Sequence, residues 1–188
     1  MSTIILYLGG MAGDFFVSCL SPNQFESINV AVTLKPEFGK LKKFWQMDTE
    51  AKTEYINSFS NNAFLSSHDT EFSQLYPNRT IRIKCSNQGT LLRLSQRFGA
   101  LHKPEVLEHL CNQHTIDPTN FDQEYADMCT NWNNSFNFPI EFDISNIYTN
   151  QFISDFENFC QTNSISYDKS CVTELHQTWL KQNENFKR

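Results

Sequence analysis

The sequence predicts an α/β fold: a mostly parallel sheet flanked by helices, with a helical carboxyl-terminal end. Three observations carry this. The run Ile4-Ile5-Leu6-Tyr7-Leu8 is continuously apolar and stops at Gly9-Gly10, as expected of a central strand buried on both faces. Alternating segments recur at 80–85 and 140–144, with helical spacing between them. Two amphipathic stretches close the chain. Strands separated by helices favour a layered domain with parallel pairing.

Taken in order, Ile4–Leu8 is the first strand. Asp14 to Leu20 reads as a short helix that must stop before Pro22, with Asp14 a suitable N-cap. Ile28, Val30, Val32 and Leu34 alternate with small or polar residues and predict a strand. From Pro36 the period changes, and Phe38, Leu41, Phe44, Trp45, Tyr55, Ile56 and Phe59 fit a helical face. Ala63–Ser67 predicts a short strand leading into His68-Asp69. Over 80–85, Ile81, Ile83 and Cys85 share one face, and Arg82 and Lys84 the other. Helices are expected over Asn87–Phe98, Pro104–Cys111 and Phe121–Trp132. Ile140–Ile144 is a late strand. The closing helices carry Phe152, Ile153, Phe156, Phe159 and Cys160, then Val172, Leu175, His176, Trp179 and Leu180, with Asp168 or Ser170 capping the second. The whole reads as one domain, 1–188, with carboxyl-terminal helices at about 149–186.

Composition narrows the function classes. The 188 residues are 39% hydrophobic, with 17 Phe, enough for a packed core. A net charge of −6 argues against a nucleic-acid partner, which needs a basic face to displace phosphate counterions. No segment is apolar over the length of a membrane span, and the first residues lack the basic start of a secretion signal. A cytoplasmic protein with no membrane partner is expected, in the host cytoplasm if phage-encoded. The six cysteines lie singly, without a CxxC pair, and read as small buried hydrophobes.

The most informative feature is the turn Leu8-Gly9-Gly10-Met11-Ala12-Gly13-Asp14. Glycines between a strand and a helix let backbone N–H groups approach an anion, and the helix start offers a positive dipole end. The spacing departs from the P-loop pattern, because Gly9 and Gly13 enclose three residues and Asp14 follows. A tight turn capped by Asp14 accounts for the same residues. Arg79, Arg82, Lys84, Arg93 and Arg97 concentrate positive charge in an otherwise acidic chain, either as an anion-binding surface or as solvated faces. His68-Asp69 is a candidate general base or a polar loop. His102, His109, Cys111 and His114 suggest a metal at first sight. On a helix, however, 109 and 111 point about 200° apart, and no metal is expected.

Three segments in order resemble the sulfotransferase-like branch of the P-loop nucleotide-binding fold, in particular its short phage and bacterial members. Gly10-Met11-Ala12-Gly13-Asp14-Phe15-Phe16 is similar in place to the family's 5′-phosphosulfate loop. Phe64-Leu65-Ser66-Ser67-His68-Asp69, followed by Tyr76-Pro77-Asn78-Arg79-Thr80-Ile81-Arg82-Ile83, resembles a strand ending in a catalytic His and then the strand delivering 3′-phosphate ligands. Glu141 to Asn183 resembles the closing strand and helices. The resemblance implies a P-loop-like architecture and 3′-phosphoadenosine-5′-phosphosulfate or another small anionic nucleotide as the bound donor. The backbone of Gly10, Met11, Ala12, Gly13, Asp14 and Phe15 would hold its 5′-phosphate. His68 would be the base, and Arg82 or Lys84, with Ser86 or Ser95, would sit near its 3′-phosphate. Departures accompany it. Met11 or Ala12 stands where the family has a basic residue, Asp14 replaces a hydroxyl residue, and Cys85-Ser86-Asn87 replaces an arginine dipeptide. Two functions follow: transfer of a sulfuryl or phosphoryl group to a hydroxyl acceptor, or a catalytically silent protein on the same fold. The silent protein would act through a protein partner or a homo-oligomer.

Overall fold

In the computed structural model, residues 2–21, 25–28, 31–34, 47–58 and 64–186 are described. The fold is α/β. Strands β1 (Thr3–Leu6), β4 (Phe64–Ser67), β5 (Thr80–Lys84) and β6 (Ile140–Asp143) form an all-parallel sheet in the order β4-β1-β5-β6. Ile5 pairs with Ser66 on one side and Ile81 on the other, and Ile83 pairs with Phe142. A separate antiparallel pair joins β2 (Phe25–Ile28) to β3 (Ala31–Leu34). The strand expected over 28–34 is therefore the end of one strand and the whole of the next. Val30, Phe59, Ala63 and the 36–45 part of the expected helix lie outside the described residues.

The helices among the described residues are α1 (Gly13–Leu20), α2 (Thr49–Ser58), α3 (Thr70–Gln74), α4 (Gln88–Leu101), α5 (Pro104–His114), α6 (Phe121–Ser135), α7 (Gln151–Thr162) and α8 (Lys169–Gln182). Their starts follow from local chemistry. Asn87 accepts from the Thr90 N–H at 2.9 Å, Asp69 from Phe72 N–H at 2.9 Å, and Asp168 from the N–H groups of Ser170 and Cys171. Pro104 opens α5, where its missing N–H is harmless.

Period-2 alternation sends the two sides of each strand to different layers. Ile5, Ile81, Ile83 and Phe142 enter the main core with α1, α7 and α8. There the Phe16 ring lies 4.8 Å from Phe142 and 5.4 Å from Phe156. Ile4 and Leu65 face the other way and meet Ile56 of α2 and Phe72 of α3. Helices on both faces of a parallel sheet explain why β1 is apolar without alternation.

Candidate functional site

From β1 the chain moves outward to β4, then crosses back over β1 to β5 and continues outward to β6. The direction of winding thus reverses between β1 and β5. In such sheets the crevice outside the carboxyl ends of the strands, at that reversal, is where ligands bind. The residues delivered there are the glycine turn after β1, Ser67-His68-Asp69 after β4 and Cys85-Ser86-Asn87 after β5.

The turn is bent by two left-handed residues, Gly10 at φ 80° and Ala12 at φ 53°. Alanine in that region costs about 1–2 kcal/mol, so surrounding packing must hold it. Ala12, not Asp14, is the N-cap, and no side chain caps α1. Asp14 lies one residue inside the helix. Its charge favours the dipole there, but its carboxylate is taken up elsewhere. The Tyr7 hydroxyl donates to Asp14 Oδ1 at 2.5 Å, and Ser66 Oγ reaches the same oxygen at 3.4 Å. Asp14 is thereby tethered toward β4. Among the described residues nothing accepts from the N–H groups of Gly13, Asp14 and Phe15; the first intrahelical bond is Phe16 N–H to Ala12 O at 3.1 Å.

His68 arrives at this place from β4. Its Nδ1 lies 2.6 Å from the Tyr7 carbonyl oxygen, and its ring meets the Tyr7 ring edge-on at 4.6 Å. A carbonyl only accepts, so Nδ1 carries a proton, and in a neutral ring the lone pair is then on Nε2. His68 is exposed, so that lone pair is reachable. Asp69 does not orient it. That carboxylate caps α3 and pairs with Lys52. Burial pushes the Asp69 pKa up, but the bonds from Lys52 and the α3 amides outweigh it and hold it below the ordinary value. Burial, then the neighbouring Asp14 charge, raises the Tyr7 phenol, which stays a donor.

The predicted cations divide among three places. Arg82 is fully buried between the rings of Trp132 and Phe136, at 4.9 and 4.8 Å. It donates to Glu141 at 2.9 Å and to the carbonyl oxygens of Asn133 and Phe136. Lys84 donates to the other Glu141 oxygen at 2.6 Å. These two side chains are committed to the β5–β6 face and not brought to the glycine turn. Arg79 reaches Asn57 on α2. Arg93 and Arg97, on α4, lie over Tyr148 and Trp179, each at 5.7 Å. Arg97 is close enough to Asp14 to interact electrostatically with it, although burial lowers its pKa. A cation that acts on Asp14 of α1 therefore comes from α4. The signal for it was the arginine pair four residues apart, but sequence spacing could not tell which basic pair would face the turn.

At the β5 and β6 ends, Ser86 N–H and Oγ both donate to Asp143, whose Oδ1 also receives Ser145 Oγ at 2.5 Å. Burial raises the Asp143 carboxyl, and these donors more than reverse it, so its pKa is lowered. Ser95 is buried and donates to the Leu91 carbonyl at 2.9 Å. Cys111 is buried, whereas His109 and His114 are exposed; no group of three metal-ligating side chains occurs among the described residues. No described helix is long and apolar enough to cross a membrane. The chain matches no protein family, no curated protein and no solved structure.

Proposed function

We propose that the protein is a small sulfotransferase-like transferase that binds an anionic nucleotide at the carboxyl edge of β1, β4 and β5. The observation that carries this reading is the His68 Nδ1 contact with the Tyr7 carbonyl. It fixes a base-competent imidazole beside a strand-to-helix turn from 61 residues further along the chain. The open N–H groups of Gly13, Asp14 and Phe15 suit an anionic group, and Arg97 offers the positive charge that the turn itself lacks. In the reaction, an acceptor hydroxyl oxygen would bond to the transferred sulfur while the bond from sulfur to the donor phosphate breaks. The hydroxyl proton passes to His68 Nε2. A general base contributes on the order of 10²–10⁴ in rate.

Calorimetric and thermal titration with 3′-phosphoadenosine 5′-phosphate tests this. At ten times Kd, the ligand should add about 1.4 kcal/mol, or roughly 3–6 °C in Tm. His68→Gln should keep that binding and lose transfer to hydroxyl acceptors. Absence of any thermal shift at millimolar ligand overturns the proposal. A second reading, a silent protein acting through a protein partner, is favoured by the Asp14 carboxylate at the turn. It predicts no nucleotide response and unchanged partner retention in His68→Gln.

A further inference from the structure

We infer that the edge of β6, unpaired among the described residues, is a strand-addition site for an extended, basic segment of a partner protein. This does not rest on the function proposed above. Ile144 N–H donates to the Lys84 carbonyl at 2.8 Å, continuing the parallel ladder with β5. Period 2 then turns the main-chain groups of Ile140 and Phe142 toward β5, and those of Glu141 and Asp143 outward. No described residue bonds these outward N–H and C=O groups. Unpaired edges of this kind template pairing with another chain, and proteins usually block them with lysine, proline or a covering loop. Pro139 guards only the start of this one.

The edge also borders a groove. A cavity of about 570 Å³ is lined by β6 and by Asp155, Asn158, Phe159 and Thr162 of α7. Phe159 supplies an apolar floor, and asparagine amides supply the rim. An extended backbone laid there would find main-chain partners on one side and side-chain pockets on the other, the mode used wherever peptides add to sheet edges.

Charge selects the occupant. Glu141 is already balanced by Arg82 and Lys84. Asp143 and Asp155 are not; their bonding partners are the hydroxyls and amides of Ser86, Ser145, Asn146 and Gln151. Among the described residues neither Lys nor Arg lines the groove. Uncompensated carboxylates beside the outer strand suit lysines or arginines on the incoming segment. A second copy pairing β6 to β6 would instead bring these acidic rims together, on a chain of net charge −6.

The probe is the fluorescein-labelled peptide acetyl-Lys-Val-Lys-Val-Lys-Val-amide, read by anisotropy against the full chain. Saturable binding is expected, with slowed hydrogen exchange at the Glu141 and Asp143 amides. N-methylation at alternate residues leaves the charge intact and should weaken binding about tenfold or more. Asp155→Lys and Asn158→Arg, both on the outer side of α7, should weaken it similarly with native Tm. Replacing the lysines by glutamates should abolish it. Equal binding of the N-methylated peptide overturns strand addition and leaves only charge attraction. No binding of the parent peptide overturns the proposal. So does a dimer of the unliganded chain that Asn158→Arg dissociates, because the occupant would then be a second copy.

Discussion

Gly13 is where backbone packing is least forgiving. A Cβ built on it falls well inside contact distance of Cγ and both Cδ atoms of the Tyr7 ring. Carbon atoms rest about 3.5–4.0 Å apart, so ring or helix must retreat by roughly 1 Å or more. Neither is free to do so. Tyr7 is buried, its hydroxyl is bonded to Asp14 at 2.5 Å, and its ring is braced by His68. Overpacking of this kind costs about 1–3 kcal/mol, and the upper end applies where both partners are held. For a chain of this size, Gly13→Ala should lower Tm by about 6–12 °C. Gly9→Ala is the internal control, since its nearest neighbour would be the Tyr125 hydroxyl at an ordinary 3.5 Å; its Tm should stay within about 2 °C of the parent. The decisive measurement is a double-mutant cycle by urea unfolding. Tyr7→Ala removes the obstructing ring and is itself destabilising, but adding Gly13→Ala to it should cost almost nothing further. If Gly13→Ala unfolds like the parent chain, or costs the same in both backgrounds, the packing argument is wrong.

Arg82→Ala should destabilise the chain by about 3–5 kcal/mol in the same assay, because it strips a buried charge from Glu141 and empties the space between Trp132 and Phe136. Acid stability follows from Glu141 and Asp143. Burial raises both carboxyls, but the donors around them more than reverse it, so their folded pKa values lie below the unfolded ones. The folded state therefore binds fewer protons than the unfolded chain, and stability is full above the unfolded values. Tm should fall as pH drops through about 5 to 3, and Glu141→Gln should flatten that slope; a Tm flat to pH 3 refutes it. Burial pushes the thiols of Cys85, Cys129 and Cys160 up to about 11, 12 and 12. Iodoacetamide at pH 7.5, read by peptide mass spectrometry, should leave these unmodified in the native state and reach only the half-buried Cys171.

What was legible in the sequence was what periodicity controls. The alternation over 80–85 and 140–144 gave two strands with their faces in the right sense, since Ile81, Ile83 and Phe142 do enter the core. The helical faces around Phe98, Tyr125, Phe156 and Trp179 were equally readable, as was a cap at Asp168 or Ser170, which Asp168 supplies. Misreadings came where a distant residue decides. Arg82 and Lys84 lie on a polar-looking strand face, which reads as water or ligand. The α6 terminus, with Trp132, Phe136 and the Asn133 carbonyl, closes over that face from 50 residues away, and Glu141 on the next strand supplies the counter-charge. Likewise Asp14 has the composition of a cap. The left-handed Ala12 starts the helix earlier, and Tyr7 and Ser66 take the carboxylate. The antiparallel β2–β3 pair was hidden because one alternating pattern ran across two strands.

The glycines themselves do not decide between the two functional readings. Gly10 is required because its φ is positive and Phe98 lies against its Cα, and Gly13 because Tyr7 does. Both requirements hold whether or not anything binds, so a Gly13 variant reports on folding first and on ligand only second. The amides are a separate matter: at a helix start they point back along the axis, away from the Cα faces that the aromatic rings cover. Any case for an anion rests on those N–H groups together with groups brought from outside the turn, namely His68 from β4 and Arg97 from α4. Arg97→Gln is consequently the informative change. It keeps much of the side chain against Trp179 while removing a cation that interacts with Asp14. If a nucleotide occupies the turn, its affinity should drop about tenfold or more, with Tm changed by no more than about 4 °C. An unchanged affinity would mean that the anion lies elsewhere.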